Sequence, residues 1–336
     1  MNYSVHNLSN TGVNQTLARP CPPIRPADWI ATQLPTIAFG SVMTATQFFN
    51  LIIFTLWRNK EPFVIFHVAL AVASLLAGLS LLAAVPLRYM DLTPTNAFVD
   101  KFVGVVMIVY VNCVAILANL AISLDRWLSV EFAVRYRTTI SHGKAVFVAT
   151  VCIFGVAVIL VAPGIGVFFS NITIDVCSRR KNFLINGAGP QTWQAIQGPV
   201  MIPFLFASQL RILWIAGGLR LQRWRNRNLN NNHRALELKP WKPAAIAVMR
   251  IVWSSLLASM AVVCVTLISR APGLVLHYHT TLRVSSETYR LAGYMTFVQH
   301  CASPLIYLFF WPDYRKTIFR LCRRLTSIVT PHASIG

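Results

Sequence analysis

Charged residues are scarce in this chain, and acidic ones are the scarcest. Asp and Glu together number 10 among 336 residues, against 30 Lys and Arg. Charged residues make up 12% of the chain, whereas about 25% is usual for a soluble domain. Hydrophobic residues make up 55%. This composition excludes an ordinary soluble domain and indicates an integral membrane protein.

The excess of basic residues has two readings. It could indicate a nucleic-acid-binding protein, but no segment of the sequence resembles a nucleic-acid-binding module. In a membrane protein, Lys and Arg collect in the cytoplasmic loops. We therefore predict the lipid bilayer as a partner of this chain, and no nucleic acid.

The sequence also lacks the clusters that metal sites and enzymes need. The seven cysteines are dispersed, and no spacing is typical of a zinc site. A membrane enzyme would need a nucleophile and a base, or a metal, at one depth, and the eight His do not provide such a group. We predict no metal site, no cofactor and no enzymatic activity.

Long apolar runs are abundant, and each is near the length of about 20 residues that crosses a bilayer. Seven such runs are present, at 33–57, 63–87, 102–124, 145–170, 193–219, 251–269 and 291–311. They predict an all-α membrane protein with a seven-transmembrane helix bundle over residues 33–311. Residues 1–32 would form an outer tail, and residues 312–336 a short amphipathic helix and tail.

The orientation of the bundle follows from its loops. Of the 30 Lys and Arg, 19 fall in loops one–two, three–four and five–six or after span seven. This bias predicts a cytoplasmic C-terminus and an outside N-terminus. The Asn-x-Ser/Thr sequences agree, because all four lie on the predicted outer side, at Asn2, Asn7, Asn14 and Asn171. We predict glycosylation there. The N-terminal tail has no apolar h-region, so we expect the first span to direct insertion.

The third apolar run ends in a charged pair. Asp125 and Arg126 follow a run without charge that begins at residue 102, and Trp127 comes next. Charges near a bilayer edge are tolerated when they are paired or reach the interface. The pair is therefore either a local switch or an interfacial anchor. The Asp-Arg-Trp sequence resembles the Asp-Arg-Tyr motif of rhodopsin-like G-protein-coupled receptors.

Other motifs of that family occur in the same order. Pro304 and Tyr307 match its Asn-Pro-x-x-Tyr motif, with Ser303 in the place of Asn. The segment LAVASLL at 70–76 is similar to its span-two motif, with Ser74 in the place of Asp. Further matches are Asn50 in the first span and Pro203 and Pro272 in spans five and six. The resemblance extends from the first span to Cys322.

The resemblance implies a plasma-membrane receptor that binds an extracellular ligand and signals to a heterotrimeric G protein by outward movement of span six. Its signalling switch would comprise Asp125, Arg126, Trp127, Pro304 and Tyr307. Its bundle core would comprise Asn50, Ser74, Ser303, His300 and Pro272, and we expect His300 to approach Ser74.

The segment after Pro312 is predicted to be an amphipathic helix on the membrane surface. Its apolar residues alternate with basic ones and comprise Tyr314, Ile318, Phe319 and Cys322. Cys322 is either palmitoylated or inert.

Two departures from the family's pattern concern cysteines and the switch. Lys101 stands where the family has one Cys of a disulfide, while Cys177 matches the loop partner and either bonds Cys21 or remains free. Arg250 stands where span six of the family carries an acid. We therefore expect the neighbouring Asp125 to be the only restraint on the switch arginine, and basal signalling to be appreciable.

The ligand class is suggested by an absence and by three basic residues. Amine receptors of the family carry an Asp in span three where Ile108 stands, so an amine ligand is not expected. Arg270 directly follows the apolar run of span six, which the apolar segment 271–276 extends beyond it, and Lys101 and His277 lie near the mouth of the expected cavity. An intramembrane arginine is a functional-site candidate. Arg270 either faces an anionic ligand or extends outward to the interface.

Two other functions remain in view. The altered switch positions suit a seven-helix protein that binds a ligand without G-protein coupling. A membrane transporter is a weaker alternative, because intramembrane acids, broken helices and repeated halves are missing from the sequence.

Overall fold

The computed structural model describes residues 26–57, 61–87, 90, 93–162, 172–174, 181–183, 197–232, 243–278 and 286–329. The predicted glycosylation sites and the predicted cysteine pair lie outside these residues; they are Asn2, Asn7, Asn14, Asn171, Cys21 and Cys177. Both predictions remain predictions.

The described chain is almost entirely helical. Its helices are α1 Pro26–Leu56, α2 Val64–Leu87, α3 Pro94–Glu131, α4 Ala133–Thr139, α5 His142–Ala162, α6 Ile202–Asn232, α7 Pro243–Tyr278, α8 Ser286–Phe310 and α9 Pro312–Val329. Wider π-helical turns occur at Phe102–Val106 in α3, at Val148–Gly155 in α5 and at Gln197–Met201 before α6. Two short antiparallel strands, β1 Ile172–Ile174 and β2 Lys181–Phe183, form a small ladder.

Within the described residues, five helices are long and apolar enough to cross a membrane. They contain Gln33–Leu56, Val64–Leu87, Pro94–Glu131, His142–Ala162 and Trp253–Leu276. The prediction of an α-helical, multi-pass membrane protein is therefore confirmed. The fifth predicted span coincides with a shorter apolar helix, Pro199–Ile215, and the seventh with α8, which is not among the five.

Several helices extend beyond the predicted apolar runs, as at Pro26 in α1 and Asn232 in α6, and two of the differences concern candidate site residues. Helix α7 continues as one helix past Arg270 and through Pro272 to Tyr278, whereas the sequence placed the end of the apolar run at residue 269 and a kink before the apolar segment 271–276. Helix α3 begins at Pro94 rather than at residue 102, because the Thr93 hydroxyl accepts a hydrogen bond from the Asn96 backbone N–H at 3.2 Å. The pattern of apolar residues reveals neither boundary, because it shows neither a capping hydrogen bond nor whether a helix continues through a proline.

Helices α1 and α2 approach each other closely at two glycines. A Cβ atom on Gly78 would lie 2.7 Å from Thr44 Oγ1 and 2.9 Å from the Thr44 backbone nitrogen. On Gly40 it would lie 3.0 Å from the Leu82 side chain. Small residues permit such contacts between transmembrane helices. The contact fixes α1 against α2, and through α2 against the rest of the bundle.

This contact predicts opposite effects for the same substitution at two helical glycines. Gly293→Ala should leave the melting temperature unchanged or raise it, since open space surrounds Gly293 and Ala is favoured over Gly in a helix by about 0.5–1 kcal/mol. Gly78→Ala should lower it, because the new methyl group overlaps Thr44. Thermal unfolding of both purified variants in detergent measures the difference. Equal melting temperatures would show that the helices do not pack this closely.

The corner between α8 and α9 is built on aromatic side chains. Trp311 separates the two helices and Pro312 begins α9, as the sequence predicted. The Trp311 ring is buried, with centroid distances of 5.1 Å to Trp57 and 5.0 Å to Tyr307. Helix α9 is attached to the bundle through Tyr314, which is also buried.

The face that α9 turns to the bundle differs in part from the predicted apolar set. Tyr314 and Thr317 are buried and Ile318 is partly buried against the core. Phe319 and Cys322, which the sequence placed in the same set, are exposed on the outer side of the helix. Their exposure leaves them free to meet a bilayer, and Cys322 remains a candidate for palmitoylation.

Candidate functional site

Asp125 and Arg126 form a buried ion pair at the last turns of α3. Arg126 Nε donates a hydrogen bond to Asp125 Oδ2 at 2.9 Å, and a terminal guanidinium nitrogen donates to the same oxygen. Arg126 is only 6% exposed. A buried pair of this kind is costly to break one partner at a time, since the remaining charge is left without compensation.

Tyr136, on the short helix α4, holds the other oxygen of the carboxylate. Its hydroxyl donates a hydrogen bond to Asp125 Oδ1. Burial, followed by the negative charge of Asp125, raises the pKa of the Tyr136 phenol above its ordinary value. The phenol therefore keeps its proton at neutral pH and remains a donor to Asp125.

The expectation that Asp125 alone restrains Arg126 is wrong. Arg126 Nη1 also donates to Ser255 Oγ of α7 at 3.3 Å, and the guanidinium lies 4.0 Å from the centre of the Phe63 ring. A cation over an aromatic face is stabilised by the ring's negative electron density. Span six carries Arg250 where the family has an acid, and the neutral hydroxyl of Ser255, slightly more than one helical turn later, thus connects α3 to α7.

Trp127 supports a second ion pair at the same end of the bundle. Its indole N–H donates to one oxygen of Glu131, while Arg211 of α6 donates to the other at 2.8 Å. The indole also packs against Ile212 and Leu256. Arg211, which lies within the fifth predicted span, is therefore paired and connects α6 to α3.

Tyr307 lies fully buried in α8, one turn after Pro304. Its hydroxyl is 2.8 Å from His67 Nδ1 of α2. The other ring nitrogen of His67 is 3.3 Å from Ser259 Oγ of α7. The predicted Pro-x-x-Tyr residues thus reach α2 and α7 through a histidine for which the sequence suggested no role.

The core residues Asn50 and Ser303 both form hydrogen bonds with Gln47. Gln47 Nε2 donates to Ser303 Oγ at 3.0 Å and to the His300 carbonyl, and Gln47 Oε1 accepts from Asn50 Nδ2 at 3.0 Å. Asn50 Oδ1 in turn accepts from the Tyr314 hydroxyl at 3.1 Å. This network ties α1 to α8 and to α9. Burial raises the pKa of the Tyr314 phenol, so it stays a donor.

The predicted approach of His300 to Ser74 is confirmed. His300 Nδ1 lies 2.8 Å from Ser74 Oγ, which also donates to the Leu70 carbonyl at 2.8 Å. Gln299 Nε2 lies 3.0 Å from His300 Nε2. Because the amide donates to Nε2, the ring proton is on Nδ1 and points to Ser74. A neutral imidazole therefore bonds the serine that stands in the place of the family's carboxylate.

Arg270 is turned into the bundle. It is 5% exposed, and its Nε donates to Gln299 Oε1 at 3.2 Å. One terminal nitrogen donates to Asn112 Oδ1 at 2.9 Å. The alternative of an arginine that extends outward to the interface is excluded. Among the described carboxylates, none forms an ion pair with Arg270, so its buried charge is held by amide oxygens alone.

The other candidate ligand-binding residues make fewer contacts that bear on ligand binding. Lys101 and Ile108 are both half-buried in α3, and the Ile108 carbonyl accepts a hydrogen bond from Asn112 Nδ2 at 2.9 Å. His277 belongs to the last turn of α7, but its side chain lies outside the described part of the structure. Pro272 is half-buried within the same helix.

Sequence reasoning missed several polar residues that complete these networks. They are Gln47, His67, Asn112, Glu131, Tyr136, Ser255 and Ser259. All but Glu131 and Tyr136 lie within predicted apolar runs. A polar side chain in a transmembrane helix is costly unless it is hydrogen-bonded inside the bundle. The presence of these polar residues in apolar runs could therefore have indicated that each is hydrogen-bonded inside the bundle, although it does not identify the bonding partner.

No protein-family model matches this chain, and a search of curated proteins found none that matches it. The resemblance to rhodopsin-like receptors consequently depends on the motifs in the sequence and their order.

Proposed function

We propose that this chain is a G-protein-coupled receptor of the plasma membrane with seven spans and an outside N-terminus. One observation carries the proposal: the buried Asp125–Arg126 pair at the end of α3 is hydrogen-bonded to Ser255 of α7. Such a pair is a two-state element, because movement of α7 breaks the Ser255 contact and frees one guanidinium nitrogen.

In this proposal α6 and α8 cross the membrane together with the five helices that are long and apolar enough to do so. The distribution of basic residues supports a cytoplasmic location for the end of the bundle that carries Asp125. Helix α9 follows at the same surface, with its exposed Phe319 directed to lipid. The outer tail would carry the glycans.

Activation is proposed to move the N-terminal part of α7, which contains Ser255, outward about Pro272. The contact between Ser255 and Arg126 is lost, and Arg126 turns from Asp125 into the cavity that opens among α3, α6 and α7. Tyr136 keeps its hydrogen bond to Asp125, so the carboxylate retains a donor after the arginine leaves. The released guanidinium then meets the G protein.

Arg270 supports an anionic ligand as the stimulus. A buried charge without a counter-charge is unfavourable, and a carboxylate or phosphate of a ligand would compensate it. The ligand would have to compete with Asn112 and Gln299 for the guanidinium. Lys101 and His277 are proposed to attract the anion to the outer end of the bundle.

Nucleotide exchange on purified G proteins, measured with the chain in lipid nanodiscs, tests this function. We expect basal exchange above that of empty nanodiscs for at least one Gα class, and stimulation by a member of an anionic compound library. For Arg270→Gln, the half-maximal concentration of that compound should rise about tenfold or more, since a charged hydrogen bond contributes ~1.5–3 kcal/mol. Arg270→Lys should recover part of the loss, because lysine lacks the planar guanidinium.

The same experiment distinguishes the alternative. A ligand that binds through Arg270 but causes no exchange with any Gα class would favour a seven-helix ligand-binding protein without coupling. That alternative is supported by residues that depart from the family's pattern, among them Ser74, Ser303 and Arg250.

A further inference from the structure

His67 is a buried histidine of α2 that no motif of the sequence explains. It is 1% exposed, and both of its ring nitrogens have partners on other helices: Tyr307 of α8 at 2.8 Å and Ser259 of α7 at 3.3 Å. Few single side chains can join three helices at one point. The position of His67 therefore connects the helix proposed to move with the helix that carries Tyr307.

The hydrogen bonds around His67 assign its proton. The Ser259 hydroxyl donates to the Ser255 carbonyl at 2.9 Å, so its oxygen must accept from His67 Nε2. His67 Nδ1 then carries the lone pair and accepts from the Tyr307 hydroxyl. Every donor has an acceptor in this arrangement, which requires a neutral imidazole with its proton on Nε2.

Aromatic rings hold the imidazole in this orientation. The ring of Trp311 lies 5.0 Å away, that of Tyr307 5.2 Å away and that of Phe63 6.2 Å away, and the last two are nearly perpendicular to the imidazole. The same Phe63 ring also lies beneath the guanidinium of Arg126. Rotation of the imidazole would require these buried rings to move.

Ser255 and Ser259 present two attachment points on one face of α7. Residues four apart in a helix lie on the same side, one turn above the other. Arg126 of α3 donates to Ser255, and His67 of α2 donates to Ser259. Both serines are buried. Two consecutive turns of α7 are thus held by two different helices.

We propose that His67 is a further switch residue, which holds α7 through Ser259 and Tyr307 of α8 in the closed arrangement together. Movement of α7 away from α2 breaks the bond to Ser259 and leaves Nε2–H without an acceptor. The imidazole, held on that side only by the surrounding rings, then reorients together with those rings and releases Tyr307. The movement of α7 and the release of Tyr307 are therefore coupled. The proposal rests on the proposed function only for its effect on signalling.

The test measures the position of α7 directly. Spin labels at Trp253→Cys on α7 and Phe132→Cys at the end of α3, both exposed positions, report their separation when the exposed Cys152, Cys264 and Cys322 are replaced. The protein is measured in nanodiscs without ligand or G protein. His67→Phe and Ser259→Ala should each increase the ratio of long to short distances by about two- to tenfold, as expected for the loss of a neutral hydrogen bond.

A matched control comes from the same helix. Ser269 is also buried, but its hydroxyl donates to Thr266 within α7, so Ser269→Ala removes no bond between helices. It should leave the distances unchanged. The double variant His67→Phe with Ser259→Ala should shift them no further than either single change. His67→Gln, whose amide N–H lies near the position of Nε2, should restore the parent distances in part.

Distances in Ser259→Ala equal to those in Ser269→Ala would overturn the proposal, and so would fully additive effects in the double variant. If His67→Phe does not fold, Ser259→Ala alone decides. Because no G protein is present, the result is independent of coupling: shifted distances without nucleotide exchange in any variant would retain His67 as a connection and reject the receptor function.

Discussion

Arg126→Ala is expected to reduce nucleotide exchange on the G protein by tenfold or more, while the protein still reaches the cell surface. Arg126 is the residue proposed to enter the cavity that opens at the Asp125 end. Its present partners, Asp125, Ser255 and the Phe63 ring, hold it inside the closed bundle. Without the guanidinium, movement of α7 exposes nothing that replaces this contact. A tenfold loss corresponds to about 1.4 kcal/mol.

Removal of Arg126 also leaves the Asp125 carboxylate buried without a counter-charge, which could destabilise the fold. The variant Arg126→Ala with Asp125→Asn avoids this effect and should also lack exchange. Asp125→Asn alone should raise basal exchange, because it weakens the hold on Arg126. Arg135→Ala, at an exposed position of α4, is the matched control and should behave like the parent. If Arg126→Ala supports as much nucleotide exchange as the parent at equal surface density, the Asp125–Arg126 pair is only an interfacial anchor.

Trp311→Ala is expected to cause the largest loss of stability among changes of the tryptophans whose side chains the structure describes. The Trp311 side chain is 2% exposed and packs on Trp57, Phe63, His67 and Tyr307. Truncation of a buried Trp to Ala costs about 3–5 kcal/mol, which predicts a melting temperature lower by roughly 10 °C. The cavity would lie where α1, α2 and α8 meet, so the orientation of Tyr307 should suffer as well.

Trp214→Ala provides the comparison, since the Trp214 side chain is 77% exposed on α6. It should change the melting temperature by no more than about 2 °C, as surface substitutions usually alter stability by less than about 0.5 kcal/mol. Thermal unfolding followed by intrinsic fluorescence or by a thiol-reactive dye measures both variants. Similar melting temperatures for the two would show that the aromatic corner does not support the fold.

The sequence by itself determined that the chain is an α-helical membrane protein and that its helices break at Pro312. Apolar runs of bilayer length identify transmembrane helices because lipid offers the backbone no hydrogen-bonding partner. Pro312 marks the break before α9 through its missing N–H. The pairing of Asp125 with Arg126 was predictable because the two residues are neighbours in the chain.

The tertiary structure alone decided which residues complete the candidate site. Arg126 and Ser255 are 129 residues apart, and His67 and Ser259 are 192 apart. The direction of Arg270 depended on how α7 is rotated about its axis, which its packing against α3 and α8 sets. In an all-apolar run the helical periodicity that would reveal a buried face is weak, because lipid-facing and core-facing residues are equally hydrophobic. A polar residue in such a run indicates that a partner must exist, and only the packed bundle shows which one it is.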